Sequence, residues 1–199
     1  MEHTNANLAA LIGSRICHDL ISPIGAISNG LELLGMTGTT DGPEMELISD
    51  SVGSAGARIR FFRIAFGAAS EQALGRAEIT EVLRDIGRES KVSVDWRPEA
   101  PAPRDEVRMA FLGLLCLETA MPYGGRITVE CDDTGWMLAA RADKLMIDEA
   151  LWSRIGQPGR TDGITPAQVQ FALLPVLAAE RRRAVTAETP QEGQIILRF

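Results

Sequence analysis

The sequence lacks any apolar run long enough to cross a lipid bilayer. Its longest apolar stretches, FLGLLCL and FALLPVLAA, are far shorter than the roughly 20 residues that a transmembrane helix needs. The amino terminus also lacks the basic segment and apolar run that are typical of a secretory signal peptide. We therefore expect a soluble, cytoplasmic protein with no membrane partner.

Positive charge is scarce as well. Twenty lysines and arginines stand against 27 aspartates and glutamates, which gives the 199 residues a formal net charge of −7. Nucleic acids and anionic membranes are bound through clusters of Lys and Arg, so we expect no nucleic-acid partner. The composition favours a protein that binds other proteins.

Cysteine is rare, with Cys17, Cys116 and Cys131 as its three occurrences. Their number is odd and no pair has the spacing of a zinc site. All three lie in apolar stretches, which predicts reduced, buried thiols in a cytosolic protein. We expect no metal site.

Two long helices are predicted at residues 5–36 and 43–69, joined by the turn GMTGTTDGP. Along both, apolar residues alternate spacings of three and four, which is typical of a helical bundle. This apolar seam consists of Gly13, Ile16, Leu20, Ile24, Ile27, Leu31 and Leu34 in the first helix and Ile48, Val52, Ala55, Ile59, Phe62 and Phe66 in the second. One antiparallel hairpin does not form a complete core, so we expect a homodimer that forms a four-helix bundle.

Beyond GAASEQALGRAE, at residues 67–78, the pattern becomes mixed, and we predict two domains at residues 1–70 and 71–199. Alternating or apolar stretches predict four or five strands in KVSVDWR, RITVECD, WMLAARA, AVTAET and GQIILRF. Helices are predicted at Ile79 to Arg88, Asp105 to Met121, Asp148 to Ile155 and Thr165 to Arg182. The fold class is therefore α+β, with a helical hairpin followed by an α/β domain.

The stretch RICHDLISPIGAI places a histidine, an aspartate and a proline inside the first helix. At about 100° per residue, the seam residues of this helix lie within about 40° of one direction, and His18 points about 160° away. His18 therefore faces outward, and small or polar residues share its face, namely Ser14, Arg15, Ser22, Gly25 and Asn29. This pattern predicts a groove that another protein can approach.

An outward imidazole with a free ring nitrogen is a nucleophile near neutral pH. Asp19 can bind one ring nitrogen, and Arg15, one turn earlier, can neutralise phosphate charge. Pro23 frees the carbonyl of residue 19 and can bend the helix beyond the histidine. The alternative is a kinked structural helix that carries an ordinary exposed histidine. The other histidine, His3, lies near the terminus and is assigned no role.

Two residues of the second helix, Phe61 and Ile64, point away from its seam. They can pack on the second domain or on a partner, and packing between the domains is the favoured interpretation.

The segment HDLISPIGAI resembles the H-box of bacterial sensor histidine kinases, and the order of the later elements is similar to the kinase ATP-binding domain. The resemblance is strong over residues 8–66 and weaker afterwards. The nucleotide-binding residues differ. FLGLLCLETAMPYGG lacks the kinase asparagines, with Gly113 and Leu117 near their positions, and ADKLMID replaces the Asp-x-Gly-x-Gly loop. GQPGRTDGITPAQVQ replaces the glycine-rich run of the lid. The chain thus resembles the ChpT-type histidine phosphotransferases, with a degenerate ATPase-like domain.

This resemblance implies that His18 relays phosphate between receiver-domain aspartates. Arg15, Asp19, Ser22 and Pro23 would support the transfer, and Ile21, Gly25 and Asn29 would help to dock the receiver. The implied partners are receiver domains of a hybrid histidine kinase and of response regulators. No cofactor would be bound by this chain, and Mg²⁺ would come from the partner receiver. Two alternatives stay open, an active sensor-type histidine kinase and a non-catalytic dimeric adaptor that binds receivers.

Overall fold

The structure is a computed structural model that describes residues 2–37, 42–68 and 72–199. A long helical hairpin is followed by an α/β domain, which confirms the predicted fold class. The helices are α1 (Glu2–Thr37), α2 (Pro43–Ala65), α3 (Arg76–Gly87), α4 (Arg104–Thr119), α5 (Glu149–Trp152) and α6 (Val169–Glu180), with 3-10 turns at Ser153–Gly156 and Pro166–Gln168. The strands are β1 (Ala73–Leu74), β2 (Val92–Trp96), β3 (Ala102–Pro103), β4 (Gly125–Asp132), β5 (Gly135–Arg141), β6 (Thr186–Glu188) and β7 (Gln194–Arg198).

The hairpin forms where the spacing of apolar residues predicts it. Helix α2 begins at Pro43, which suits a first helical position, and acidic Glu44 and Glu46 complement the dipole of its first turn. The two helices approach closely at Gly30, where a Cβ atom would lie 2.5 Å from Cγ1 of Ile48. Residues 38–41 of the predicted turn lie outside the described residues, as do residues 69–71 of the predicted domain boundary.

The α/β domain is built on a five-stranded sheet of order β2-β4-β5-β7-β6. Strands β2 and β4 are parallel and the other pairs are antiparallel. Along β5, Trp136, Leu138 and Ala140 are buried while the intervening residues are half-buried, so one face of the sheet carries the core. Helix α4 packs on that face, and a Cβ atom at its Gly113 would lie 2.9 Å from a methyl group of Leu138.

The hairpin packs on the α/β domain through the carboxyl-terminal half of α2. Phe61 and Ile64 are buried, and the rings of Phe61 and Phe111 are 4.8 Å apart. This confirms the prediction that both residues pack between the domains. Ion pairs flank the apolar contact, at 3.0 Å between Arg58 and Glu89 and at 2.7 Å between Arg60 and Asp85. Two arginines of α4 bind carbonyl groups in the last turn of α2. Arg104 donates to the carbonyl of Arg63, and Arg108 donates to that of Ala65.

The cysteine prediction is wrong for two of the three residues. Cys116 lies in the middle of α4 and is buried, which raises the pKa of its thiol well above the usual value. Cys17 and Cys131 are exposed. Cys17 is the neighbour of His18 on the outer side of α1, and Cys131 lies near the end of β4. Lying in an apolar stretch therefore does not bury a cysteine, because the face of the helix or strand on which its side chain lies decides its exposure.

Most predicted elements of the α/β domain are present, with differences at the helix ends. The helix expected from Asp148 is a single α-turn followed by a 3-10 turn. The helix expected from Thr165 starts as a 3-10 turn, across which Thr165 and Gln168 form a capping box. The two-residue strands β1 and β3 pair with each other and were not predicted. Within the described residues, no helix combines the length and the apolar character that a membrane span requires.

Replacing Phe61 with alanine tests whether the hairpin and the α/β domain are one packed unit. We expect the free energy of unfolding to fall by about 3 kcal/mol, because a buried aromatic ring and its contact with Phe111 are lost. Urea unfolding at a fixed protein concentration measures it. The control is Arg63→Ala, an exposed position on the same helix, which should change the stability little. Equal stability of both variants would contradict this interface.

Candidate functional site

His18 projects from α1 into solvent, as its helical position predicts. Its side chain is 82% exposed. The ring is nevertheless held on one side, since Nδ1 lies 3.1 Å from Oδ1 of Asp19. An ionised carboxylate can only accept a hydrogen bond, so this contact favours the neutral tautomer with its proton on Nδ1. The lone pair of Nε2 is then available on the solvent side of the ring, where a reacting group can approach.

Asp19 connects His18 to Arg15. While Oδ1 faces the imidazole, Oδ2 accepts a hydrogen bond from Nε of Arg15 at 2.6 Å. The two residues are one helical turn apart, which is the spacing at which side chains on one helix face meet. Their side chains are only 18% and 14% exposed, so this pair is sheltered from solvent while the histidine beside it is open.

Arg15 connects this cluster to the α/β domain. Its Nη1 donates to the backbone carbonyl of Ala167 at 2.6 Å, in the 3-10 turn that precedes α6. The guanidinium group is therefore directed at Asp19 and at the second domain. The prediction that Arg15 neutralises phosphate charge is not tested by this arrangement, but two of its nitrogens already have partners.

The other predicted residues lie along α1 beyond the histidine. Ile21, Ser22 and Asn29 are exposed and Gly25 is half-buried. A Cβ atom built at Gly25 meets nothing within 4 Å beyond the adjacent backbone of its own helix, so the surface there is open. Pro23 is buried. The structure thus gathers Arg15, His18 and Asp19 into one hydrogen-bonded cluster. Ile21, Ser22, Gly25 and Asn29 form the surface next to it, and Pro23 does not belong to that surface.

A cavity of about 180 Å³ lies beneath the cluster, between the hairpin and the α/β domain. Arg15 and Asp19 form part of its wall, opposite apolar side chains of the domain. The residues of α2 that line it are Arg58, Phe61 and Phe62, and those of the domain include Leu83, Ile86, Val92, Leu114 and Ile127. Phe62, which the spacing assigned to the seam, is therefore buried against the chain's own second domain.

Buried apolar and aromatic side chains occupy the region where the resemblance to the kinases would place nucleotide-binding residues. Leu117 of α4, near the position of a kinase asparagine, is buried in the core. The segment that follows β5 contributes Trp152, whose ring packs edge-on against Phe171 at 5.2 Å. Among the described residues there is no group of three His, Cys, Asp or Glu side chains that could hold a metal ion.

Two groups of the α/β domain were missed by sequence reasoning, the carbonyl of Ala167 and the side chain of Gln170. A backbone carbonyl leaves no signal in a sequence, and Ala167 is 152 positions away from its partner Arg15. Gln170 does leave a signal, because it is a polar residue beside the apolar run FALLPVLAA. Its amide nitrogen donates to the same carbonyl of Ala167 at 3.1 Å.

The α/β domain matches a known family. The family model for the histidine phosphotransferase C-terminal domain matches residues 76–193, more than half of the chain. The chain belongs to the histidine phosphotransferase family. The predicted resemblance to ChpT-type histidine phosphotransferases is thereby confirmed.

Two individual relatives, a curated protein and a solved structure, agree with this family. The chain is 40% identical over 129 residues to protein phosphotransferase ChpT of Brucella abortus (strain 2308), an alignment that covers 63% of this chain and 61% of that protein. A bacterial phosphotransferase structure solved at 1.7 Å matches with 31% identity and a TM-score of 0.80, over 97% of this chain and 95% of that one. A complex of the histidine kinase ThkA with the response regulator protein TrrA matches at 13% identity and a TM-score of 0.48, over 98% of this chain and 63% of the other.

Replacing Asp19 with asparagine tests the orientation of the imidazole in this phosphotransferase-family chain. We expect the fraction of His18 rings with the proton on Nδ1 to fall. The amide of asparagine lacks the negative charge with which Asp19 binds the Nδ1 proton and pairs with Arg15. Nitrogen-15 chemical shifts of the His18 ring measure the tautomer ratio. Asp50→Asn, an exposed aspartate on α2, is the control and should leave the ratio unchanged. A ratio in Asp19→Asn that equals that of the wild type would show that Asp19 does not orient the ring.

Proposed function

We propose that this chain is a histidine phosphotransferase that relays a phosphoryl group between receiver-domain aspartates through Nε2 of His18. The observation that carries the proposal is an exposed imidazole with Nδ1 bound by Asp19 and Nε2 open to solvent, in a chain of the histidine phosphotransferase family. We expect the relay to act in the cytoplasm, between a hybrid histidine kinase and response regulators.

In the first step, the lone pair of Nε2 attacks the phosphorus of an aspartyl phosphate on the donor receiver. A bond forms between Nε2 and phosphorus, and the bond between phosphorus and the aspartate oxygen breaks, so its electron pair returns to the carboxylate. The ring gains positive charge as Nε2 is substituted, and the carboxylate of Asp19 on Nδ1 stabilises that charge. In the second step, the carboxylate of an acceptor receiver attacks the same phosphorus and Nε2 leaves.

Phosphoryl transfer depends mainly on positioning and charge neutralisation. We propose that the partner receiver supplies Mg²⁺ for the phosphoryl oxygens and that this chain supplies the nucleophile. The proposed docking surface comprises Ile21, Ser22, Gly25 and Asn29, which follow His18 along α1. An exposed apolar residue, two polar residues and an open glycine give an incoming domain room to approach Nε2.

We also propose that the protein is a homodimer. The seam residues Ile24, Leu31, Val52 and Ile59 are each more than half exposed in the single chain. Apolar side chains at bundle spacing on both helices of a hairpin favour a second copy of the same hairpin, which would bury them in a four-helix bundle. His18 points away from this seam, so the dimer would leave both histidines accessible.

Incubation with a phosphorylated receiver domain tests the relay. The wild-type chain should become labelled, and the label should be acid-labile as expected for phosphohistidine. His18→Ala should abolish labelling, because no other group of the site presents a nucleophilic nitrogen, whereas His3→Ala removes the other histidine and should leave labelling unchanged.

Two outcomes of that experiment would support the alternatives instead. Labelling from ATP without any kinase would identify the chain as an active histidine kinase. Receiver binding that is equal in wild type and His18→Ala, with no phosphohistidine in either protein, would identify a non-catalytic adaptor.

Light scattering during size-exclusion chromatography tests the dimer. Ile24→Glu should convert the dimer into a monomer, because it places charge in the apolar seam. Ser22→Glu introduces the same charge on the face of His18 and should leave the dimer intact. A monomeric wild type, or an Ile24→Glu variant that is as dimeric as the wild type, would refute this arrangement.

A further inference from the structure

A continuous polar chain connects the α/β domain to the ring of His18. It begins at the carbonyl of Ala167, passes through the guanidinium of Arg15 at 2.6 Å and the carboxylate of Asp19 at 2.6 Å, and ends at Nδ1 at 3.1 Å. We propose that Gln170, through the Ala167 carbonyl that it holds, is a positioning residue for phosphotransfer at His18. This inference rests on the proposed function.

Gln170 is placed to fix that carbonyl. Its amide nitrogen donates to Ala167 O at 3.1 Å and to the hydroxyl of Thr119 at 3.2 Å. The capping box of Thr165 and Gln168 restrains the same turn from its other end, with the amide of Thr165 donating to the side chain of Gln168 at 3.2 Å. The carbonyl of Ala167, which accepts the hydrogen bond from Arg15, is therefore held both by the side chain of Gln170 and by the capped turn in which it lies.

Packing alone does not account for a glutamine at position 170. The residue is 1% exposed, and its Oε1 is buried with no hydrogen-bond partner in the described structure. An unpaired buried amide oxygen opposes folding, and a methionine of similar length would avoid that cost. The amide nitrogen is the part of the side chain that has partners, and one of them is the carbonyl that anchors Arg15.

The exposed position of His18 makes this support necessary. An imidazole that is 82% exposed has few packing contacts to restrict its torsion angles, so its orientation depends on Asp19. Asp19 in turn is held by Arg15, and Arg15 by Ala167. Other polar links between the hairpin and the domain, such as Arg60 with Asp85, do not lead to the histidine. The α/β domain thus acts on the orientation of His18 through this chain of hydrogen bonds.

Single-turnover phosphotransfer from a phosphorylated receiver, titrated over receiver concentration, tests the proposal. Gln170→Met should lower the first-order rate constant about three- to tenfold, because the reacting nitrogen is less well positioned. The receiver concentration at half-saturation should not change. Nitrogen-15 shifts should show a smaller population of His18 with the proton on Nδ1. Arg60→Met, which breaks an interdomain ion pair with no path to the histidine, should leave all three quantities unchanged.

A second variant keeps the test decisive if Gln170→Met does not fold. Arg15→Met should lower the rate constant and the Nδ1-protonated population at least as much. Where Gln170→Met does fold, the double variant should equal Arg15→Met alone, because both residues act through the same contacts.

Several results would overturn the proposal. These are a wild-type rate and tautomer ratio in folded Gln170→Met, wild-type values in Arg15→Met, a change in half-saturation alone, or an equal loss of rate in Arg60→Met. Failure of the wild-type chain to be labelled at His18 would instead refute the proposed function, so the two failures are distinguishable.

Discussion

The carboxylate of Asp19 is the group on which the arrangement of the site depends. One of its oxygens faces Nδ1 of His18 and the other accepts from Arg15. A carboxylate so sheltered from solvent needs charged or polar partners, and helix geometry supplies one of them at a spacing of four residues. Because Arg15 also reaches the carbonyl of Ala167, this face of α1 lies against the α/β domain and the cluster is joined to it.

Helix α1 therefore has three faces with different roles. One faces the α/β domain and carries Leu8, Arg15 and Asp19. A second carries the exposed apolar seam, for which a second copy of the chain is the proposed partner. The third presents His18 to solvent. Apolar contacts such as that of Phe61 with Phe111 fix the hairpin on the domain, while the flanking ion pairs are partly exposed and add less.

The α/β domain is packed as a rigid support. Helix α4 is buried along most of its length, and Trp152 and Phe171 fill the region that follows β5. Such packing is suited to holding a carbonyl group in place, and the turn before α6 presents one at the edge of the hairpin. In the proposed relay, this domain therefore contributes by holding in position the groups that orient His18.

Local sequence determined the helices of the hairpin and the exposed position of His18. The spacing of apolar residues predicted α1 and α2, the outward direction of His18 and the contact of Asp19 with its ring, because helical geometry depends only on neighbours within a turn or two. The same reasoning was wrong for Cys17, which lies in an apolar stretch but on an exposed face of α1. The second partner of Arg15, the carbonyl of Ala167, was decided by tertiary structure alone, since a backbone carbonyl 152 residues away has no side chain to mark it. The packing of the two domains brings that carbonyl to the site, and with it the link to Gln170.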